Sequence, residues 1–185
     1  MARTSSQMVP LGTPAPEFVL PDTLSPKLVS LMEVRGEKAT FIMFICNHCP
    51  FVQHVNAELV KLANHYQPKG ISFVAISSND VESYPEDGPA KMQEIGRNLG
   101  YPFPYLYDET QEIARAYNAV CTPDFFLYDR DLVLVYRGQI DDSRPGNGVA
   151  VSGKDIRAAF DNLINGRPVQ ADQKPGIGCN IKWKK

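Results

Sequence analysis

The chain has 185 residues, of which 43% are hydrophobic and 22% are charged, a composition typical of one globular domain with its own hydrophobic core. The formal net charge of −2 gives no indication of binding to nucleic acid or to an anionic membrane surface. No apolar run approaches the roughly 20 residues that a membrane-spanning helix needs. We therefore expect neither nucleic acid nor a membrane among the partners.

Residues 1–13 are polar, are interrupted by Pro10 and lack the apolar stretch of a secretory signal. We expect this segment to be loosely ordered and the protein to be cytoplasmic.

The four cysteines are too few for a disulfide scaffold, and structural disulfides are not expected in a reducing compartment. They are Cys46, Cys49, Cys121 and Cys179.

The first half of the chain alternates predicted strands and helices. Two short apolar runs, at 18–20 and 28–31, predict an N-terminal β-hairpin. The run at 39–45 places apolar residues on both faces of the strand, which is typical of a central strand covered by helices. Apolar residues then recur at helical spacing from Phe51 to about Tyr66, and 71–76 predicts a second buried strand.

After a polar insertion at 77–89, a helical pattern resumes over 90–99, and Asp108 is placed to cap a short third helix. The runs at 125–128 and 132–136 predict a hairpin. Arg137, just after the hairpin, is expected at the surface. A last helix is predicted to begin at Ser152.

The order of these elements predicts the domain organisation. A β-α-β-α-β-β-α succession after an N-terminal hairpin favours an α/β domain with a central mixed sheet flanked by helices. We assign this domain to residues 14–166. Residues 167–185 form a C-terminal tail that contains Cys179 and the apolar residues Ile177, Ile181 and Trp183, which favour docking of the tail on the domain.

The most informative motif is the pair of cysteines between the 39–45 strand and the following helix. Cys46 and Cys49 are separated by Asn47 and His48. A helix N-terminus carries partial positive charge and free backbone N–H groups, and both favour the thiolate, which is the reactive form of cysteine. The pattern therefore predicts a redox-active dithiol.

The motif leaves the roles of its residues open. In one assignment Cys46 is the attacking thiolate and Cys49 the resolving thiol. However, Pro50 suits the first turn of a helix, which would make Cys49 the cap and the better stabilised thiolate. His48, when protonated, can lower the pKa of a neighbouring cysteine; otherwise it is an exposed loop residue.

The strand–CxxC–helix order resembles the thioredoxin-like superfamily. Further motifs over residues 14–165 resemble its peroxiredoxin-like AhpC/TSA (redoxin) branch. These motifs are Ala15-Pro16-Glu17-Phe18, Phe103-Pro104-Tyr105-Leu106-Tyr107-Asp108, Ala114-Arg115-Ala116-Tyr117, Cys121-Thr122-Pro123, Phe126-Leu127-Tyr128-Asp129-Arg130 and Tyr136-Arg137-Gly138. The resemblance implies a thioredoxin-like fold.

The resemblance also implies roles for residues outside the dithiol. Pro123 takes the place of a cis-proline that faces the CxxC motif, and the backbone of Thr122 would then be exposed to an incoming peptide or thiol. The same bend would bring Cys121 near the dithiol, as an auxiliary thiol or as a buried apolar residue. Cys179 is an auxiliary thiol if the tail folds back, and otherwise a plain tail cysteine.

Two departures from the family patterns bear on activity. If Cys49 is aligned with the peroxidatic cysteine of the P-x-x-x-T-x-x-C signature, Cys46 replaces the threonine and Ile42 the proline. The buried acid of thioredoxin would fall near Thr40. The first departure argues against high peroxidase rates, and the second against efficient deprotonation of the buried thiol.

We therefore expect a thiol–disulfide oxidoreductase with a Cys46/Cys49 dithiol and no cofactor. Peroxide reduction, an antioxidant activity, is a variant of the same chemistry. The expected partners are a thiol or disulfide substrate and a reducing partner from the thioredoxin or glutathione system, and a homodimer is one assembly to test. The alternative is a Cu(I) or Zn(II) site formed by Cys46, Cys49 and His48.

Overall fold

The fold was obtained as a computed structural model that describes residues 3–185. Its strands are β1 (Arg3–Ser5), β2 (Val19–Pro21), β3 (Leu28–Ser30), β4 (Ala39–Phe44), β5 (Ile71–Ser77), β6 (Tyr105–Tyr107), β7 (Cys121–Thr122), β8 (Asp124–Asp129), β9 (Leu134–Arg137) and β10 (Ile177–Asn180). Its α-helices are α1 (Pro50–Tyr66), α2 (Pro89–Leu99), α3 (Glu112–Ala116) and α4 (Lys154–Ile164). Every helix within residues 3–185 is too short or too polar to cross a lipid bilayer.

The central sheet has five strands in the order β6-β5-β4-β8-β9. β4 pairs in parallel with β5 and antiparallel with β8, so the sheet is mixed. All six residues of β4 are buried, and alternate side chains enter two separate apolar clusters, one on each face. This arrangement confirms the predicted α/β class and explains why the strand carries apolar residues on both faces.

α1 covers one face of the sheet and carries the motif. It buries an apolar stripe that includes Val52, Val55 and Leu59, as the spacing predicted. Cys49 is the N-cap residue, with extended backbone, and Pro50 lies in the first turn. The helix therefore begins directly at the second motif cysteine, as the position of Pro50 indicated.

The two ends of the chain form a second sheet, in the order β1-β10-β7. β1 pairs antiparallel with β10, and β10 pairs antiparallel with β7. The prediction that 1–13 is loosely ordered is wrong for Arg3–Ser5, whose backbone pairs with a strand more than 170 residues away in sequence. Residues 1 and 2 lie outside the described part of the chain.

The surface position predicted for Arg137 is also wrong. Arg137 is completely buried, and its Nη1 and Nη2 donate to the two carboxylate oxygens of Asp124 at 2.5 and 2.8 Å. The guanidinium lies 3.9 Å from the centre of the Phe126 ring. A paired guanidinium can be buried because the carboxylate and the aromatic face replace its water, which a single sequence position does not reveal.

Candidate active site

Both motif sulfurs lie against one residue of a distant segment. Cys46 follows β4, and its Sγ is 3.3 Å from Oγ1 of Thr122. Cys49 caps α1, and its Sγ is 3.1 Å from the carbonyl oxygen of Thr122. Both cysteines are reduced and buried. The strand, the helix and the 121–123 segment thus converge on the dithiol, as expected from the motif and the resemblance.

The Thr122–Pro123 peptide bond is cis, which confirms that prediction. The expectation that the backbone of Thr122 is exposed is not met, because β10 already pairs with β7 in the register Cys179↔Thr122 and Asn180↔Cys121. The tail of the chain therefore occupies the edge beside Pro123 at which an incoming peptide was expected.

The environment favours a thiolate on Cys49. The neighbouring Cys46 thiol lowers the pKa of Cys49 to about 5, against the opposing effect of burial, and Cys179, the Val52 backbone N–H and Thr122 also lower it. The Thr122 carbonyl oxygen can only accept and so favours the protonated form. The several donors and the helix N-terminus outweigh that single acceptor.

The environment of Cys46 instead favours the protonated thiol. Its pKa is raised well above the usual value by the interaction with Cys49, by burial and by the charge of Asp87. Two interacting thiols share their protons, so ionisation of one disfavours ionisation of the other. Between the pKa of Cys49, about 5, and the raised pKa of Cys46, the reduced pair thus holds a single negative charge, and that charge is on the helix-capping sulfur.

Asp87 orders the turn between the two cysteines. Its carboxylate is fully buried and accepts hydrogen bonds from the backbone N–H groups of Asn47 and His48, at 2.8 and 3.2 Å. It also accepts from the Asn79 amide, at 2.7 Å. In the sequence this residue lies in a polar insertion to which no role was assigned, since no local pattern marks a carboxylate that binds a turn 40 residues upstream.

His48 is turned toward Asp87 rather than toward solvent. Its Nδ1 is 2.5 Å from the Asp87 carboxylate, and its ring stacks on that of Tyr84 at 5.1 Å. The hydrogen bond to Asp87 raises the pKa of His48. Burial alone would raise the pKa of Asp87, but hydrogen bonds from His48 and Asn79 leave it lowered. The pair is therefore charged over a range that includes mildly acidic pH.

The two remaining cysteines differ in placement. The Sγ of Cys121 lies 3.8 Å from the Ser6 hydroxyl, and burial raises the pKa of this thiol, as does the charge of Asp124. Cys179 instead belongs to the same buried cluster as Cys46 and Cys49. Of the two auxiliary thiols proposed from sequence, the structure brings Cys179 to the dithiol and turns Cys121 away.

Within residues 3–185, one group of side chains has the spacing of a metal site. The candidate ligand atoms of Cys46, His48 and Asp87 lie within 4.8 Å of one another. The set predicted from sequence contained Cys49 in place of Asp87. Sulfur, imidazole and carboxylate are a donor set that zinc accepts.

The chain is similar to proteins of known function and of known structure. A curated relative, the thiol–disulfide oxidoreductase ResA of Geobacillus thermodenitrificans, is 25% identical over 128 residues, which are 69% of this chain and 68% of ResA. The crystal structure of an uncharacterized conserved protein from Geobacillus kaustophilus is 62% identical, with a TM-score of 0.98, over all of this chain and 97% of that one.

The fold itself is shared more widely. The thioredoxin domain of a thiol–disulfide oxidoreductase from Bacteroides vulgatus superposes with a TM-score of 0.58 at 20% identity, over 71% of this chain and 91% of that one. This likeness establishes the thioredoxin-like fold. The profile of the AhpC/TSA family matches residues 11–137, more than half of the sequence. The chain therefore belongs to the AhpC/TSA family of thioredoxin-like proteins.

Proposed function

We propose that the protein is a thiol–disulfide oxidoreductase whose redox group is the Cys46/Cys49 dithiol. The observation that carries this proposal is the position of Cys49, which caps α1 and contacts Thr122 beside the cis peptide bond. Its pKa of about 5 keeps it ionised at neutral pH. A thiolate next to a second thiol is what disulfide exchange requires.

In the proposed cycle, Cys49 attacks one sulfur of a substrate disulfide. The substrate S–S bond breaks, a mixed disulfide forms, and the other substrate sulfur leaves as a thiolate that takes up a proton. Cys46 then loses its proton and attacks the Cys49 sulfur, which releases the second substrate thiol. The substrate gains two electrons and the Cys46–Cys49 pair is oxidised to a disulfide.

Neighbouring residues position the dithiol in this cycle. Thr122, next to Pro123, contacts both sulfurs, and Asp87 fixes the intervening turn through the backbone N–H groups of Asn47 and His48. A surface groove beside Pro123 offers an approach for substrate. Its lining includes Phe51, Phe125, Ile140, Arg144 and Ile177.

The substrate and the reductant are part of the same proposal. We propose a disulfide as substrate and a thioredoxin or glutathione system as the source of electrons that returns the pair to the dithiol. Peroxide is a second oxidant for the same thiolate: Cys49 would become a sulfenic acid and then condense with Cys46, with loss of water. Because Cys46 stands where peroxiredoxins carry threonine, we expect this reaction to be the slower one.

The assignment of roles is tested by reacting the wild-type protein and two variants with glutathione disulfide at pH 7. Cys49→Ser should slow formation of the mixed disulfide with glutathione about 100-fold, because the remaining Cys46 thiol is largely protonated. Cys46→Ser should still form the mixed disulfide through Cys49, faster than Cys49→Ser reacts but more slowly than the wild type, because Cys49 loses its main stabilising neighbour. Cys121→Ser is the matched control and should react like the wild type. Loss of reaction in Cys46→Ser with retention in Cys49→Ser would assign the attack to Cys46 instead.

A second candidate function is zinc binding by Cys46, His48 and Asp87, and the proximity of their ligand atoms favours it. A metal there would displace the hydrogen bond between His48 and Asp87. Metal analysis of protein purified without an affinity tag distinguishes the two functions. Stoichiometric zinc that is lost in Asp87→Asn would support the metal site, and metal-free protein with full disulfide-exchange activity would reject it.

A further inference from the structure

The proposed cycle leaves one thiol of the site unused. Cys179 on β10 is buried in the same cluster as Cys46 and Cys49. It lies directly opposite Thr122 in the antiparallel pair of β10 and β7. Directly opposed residues project their side chains to the same face of a sheet, with Cβ atoms about 4.5–5.5 Å apart. The Cys179 side chain therefore shares the face from which Thr122 Oγ1 contacts the Cys46 sulfur.

The same register explains why Cys121 differs. Successive side chains of a strand point to opposite faces, so Cys121, which opposes Asn180, points away from the dithiol. Its thiol meets the Ser6 hydroxyl instead. Strand geometry thus selects one of the two auxiliary cysteines for contact with the active pair.

β10 is held firmly in this position. It pairs with β1 on one side and with β7 on the other. Beyond the strand, the Ile181 N–H donates to the carbonyl oxygen of Val120 at 3.0 Å, and the Lys182 N–H donates to Asn79 at 2.8 Å. Cys179 is thus presented by an ordered strand and not by a free tail.

The close approach of β10 to β7 depends on Gly178. A Cβ atom at this residue would lie 2.1 Å from the carbonyl oxygen of Thr122, a distance at which no side chain fits. The absence of a side chain at Gly178 allows the two backbones to meet, and this contact brings the adjacent Cys179 to the CxxC pair.

We propose that Cys179 is a third redox residue of this site, which attacks the Cys49 sulfur of a mixed disulfide and forms an intramolecular Cys49–Cys179 disulfide. This inference rests on the proposed oxidoreductase function and extends it. The family resemblance implied that the edge at Thr122 receives an incoming thiol. In this protein the chain supplies a thiol of its own, that of Cys179, at that edge.

The step balances without a further reactant. Cys49 first exchanges with a disulfide and becomes part of a mixed disulfide. The Cys179 thiol loses its proton and attacks the Cys49 sulfur, the bond from Cys49 to the bound thiol breaks, and that thiol leaves and takes the proton. Two cysteine thiols are oxidised and one external disulfide is reduced to two thiols.

The protonation state of Cys179 is compatible with this order of events. Burial raises the pKa of Cys179 to about 12, and the interaction with Cys49 adds to the effect. Once Cys49 is bound in a mixed disulfide it no longer carries charge, so its contribution is removed. Cys179 therefore becomes easier to ionise at the stage where it would act.

The test uses the full-length Cys46→Ser variant, in which Cys46 can no longer resolve. One equivalent of glutathione disulfide is added at pH 7, and the products are mapped by mass spectrometry after free thiols are blocked. We expect a peptide cross-linked through Cys49 and Cys179 and the release of both glutathione thiols. In Cys46→Ser/Cys179→Ser, the Cys49–glutathione adduct should accumulate at least about tenfold more. Cys46→Ser/Cys121→Ser should behave like Cys46→Ser alone.

A stable Cys49–glutathione adduct with a free Cys179 in Cys46→Ser would overturn the inference while leaving the oxidoreductase function intact. A Cys49 that does not react with glutathione disulfide, together with a wild-type protein that forms no Cys46–Cys49 disulfide, would reject both. Cys46→Ala carries the same test if the serine variant does not fold, as judged by circular dichroism.

Discussion

At the scale of single residues, Cys49 combines two opposing influences. Burial disfavours a charged sulfur, whereas the helix N-terminus and the thiols of Cys46 and Cys179 stabilise it. The donors prevail because they lie at the sulfur itself. Cys46 has no such advantage, since its interaction with Cys49, its burial and the charge of Asp87 all raise its pKa. The two cysteines of one motif are thereby made chemically unequal.

The ionisation of Cys49 gives the first prediction at this scale. Because its pKa is lowered to about 5, the rate of alkylation of Cys49 by iodoacetamide should stay constant above pH 6 and fall as pH drops through 5. Mass spectrometry of the alkylated peptide between pH 3.5 and 9 measures this profile. In Cys46→Ser the midpoint should move upward, because the main stabilising thiol is lost. A wild-type midpoint near 9 would contradict the assignment.

At the scale of elements, the geometry of α1 and β10 forms the site. α1 begins at Pro50, directly after the capping Cys49, because proline suits the first turn and lacks an N–H that would have no acceptor within the helix. β10 completes the site from the other end of the chain, and its register with β7 decides that Cys179, and not a neighbour, faces the dithiol. A shift of one residue would turn the thiol to the opposite face.

The contact between β10 and β7 gives the second prediction. Gly178→Ala places a Cβ against a backbone oxygen and should lower the free energy of unfolding by about 1–3 kcal/mol, as overpacking does. Gly96→Ala is the control, since its Cβ would meet the end of the Leu24 side chain, which can rotate away. Urea unfolding measures the loss, and hydrogen exchange should show faster exchange at Ile181 in Gly178→Ala. Equal stabilities of the two variants would count against the proposed close approach.

At the scale of the whole molecule, one buried carboxylate links the central sheet to the three-stranded sheet of β1, β10 and β7. Asp124 at the start of β8 accepts from both Arg137 nitrogens, from the Ser6 hydroxyl at 2.6 Å and from the Val120 N–H at 3.3 Å. It therefore links the central sheet to the segment that follows β1 and to the residue that precedes β7.

This link gives the third prediction. Asp124→Asn leaves the buried Arg137 without its charge partner and should lower the free energy of unfolding by about 3–5 kcal/mol. Lys91→Ala, which removes an exposed pair with Glu94, serves as control and should change it by less than about 1 kcal/mol. Chemical denaturation of both variants measures the difference. A loss in Asp124→Asn no larger than in Lys91→Ala would show that the buried pair is dispensable.

Much of the fold followed from local patterns. The apolar run of β4, the helical spacing of α1 and the hairpin of β8 and β9 lie within one or two residues of their predicted bounds, because each element buries a face that its own sequence displays. The Cys46/Cys49 motif and its position before a helix are equally local. The resemblance added the cis bond at Pro123, which composition alone would not indicate.

The remaining features depend on contacts between residues far apart in sequence. The pairing of Arg3–Ser5 with β10, the burial of Arg137 and the hydrogen bonds of Asp87 to the motif turn all involve partners that no local pattern marks. The sequence by itself determined the order of the main strands and helices around β4 and α1, and the position of the Cys46/Cys49 motif between them. Only the tertiary structure decided which further thiol joins them, because strand register, set by backbone hydrogen bonds across the whole chain, places Cys179 opposite Thr122.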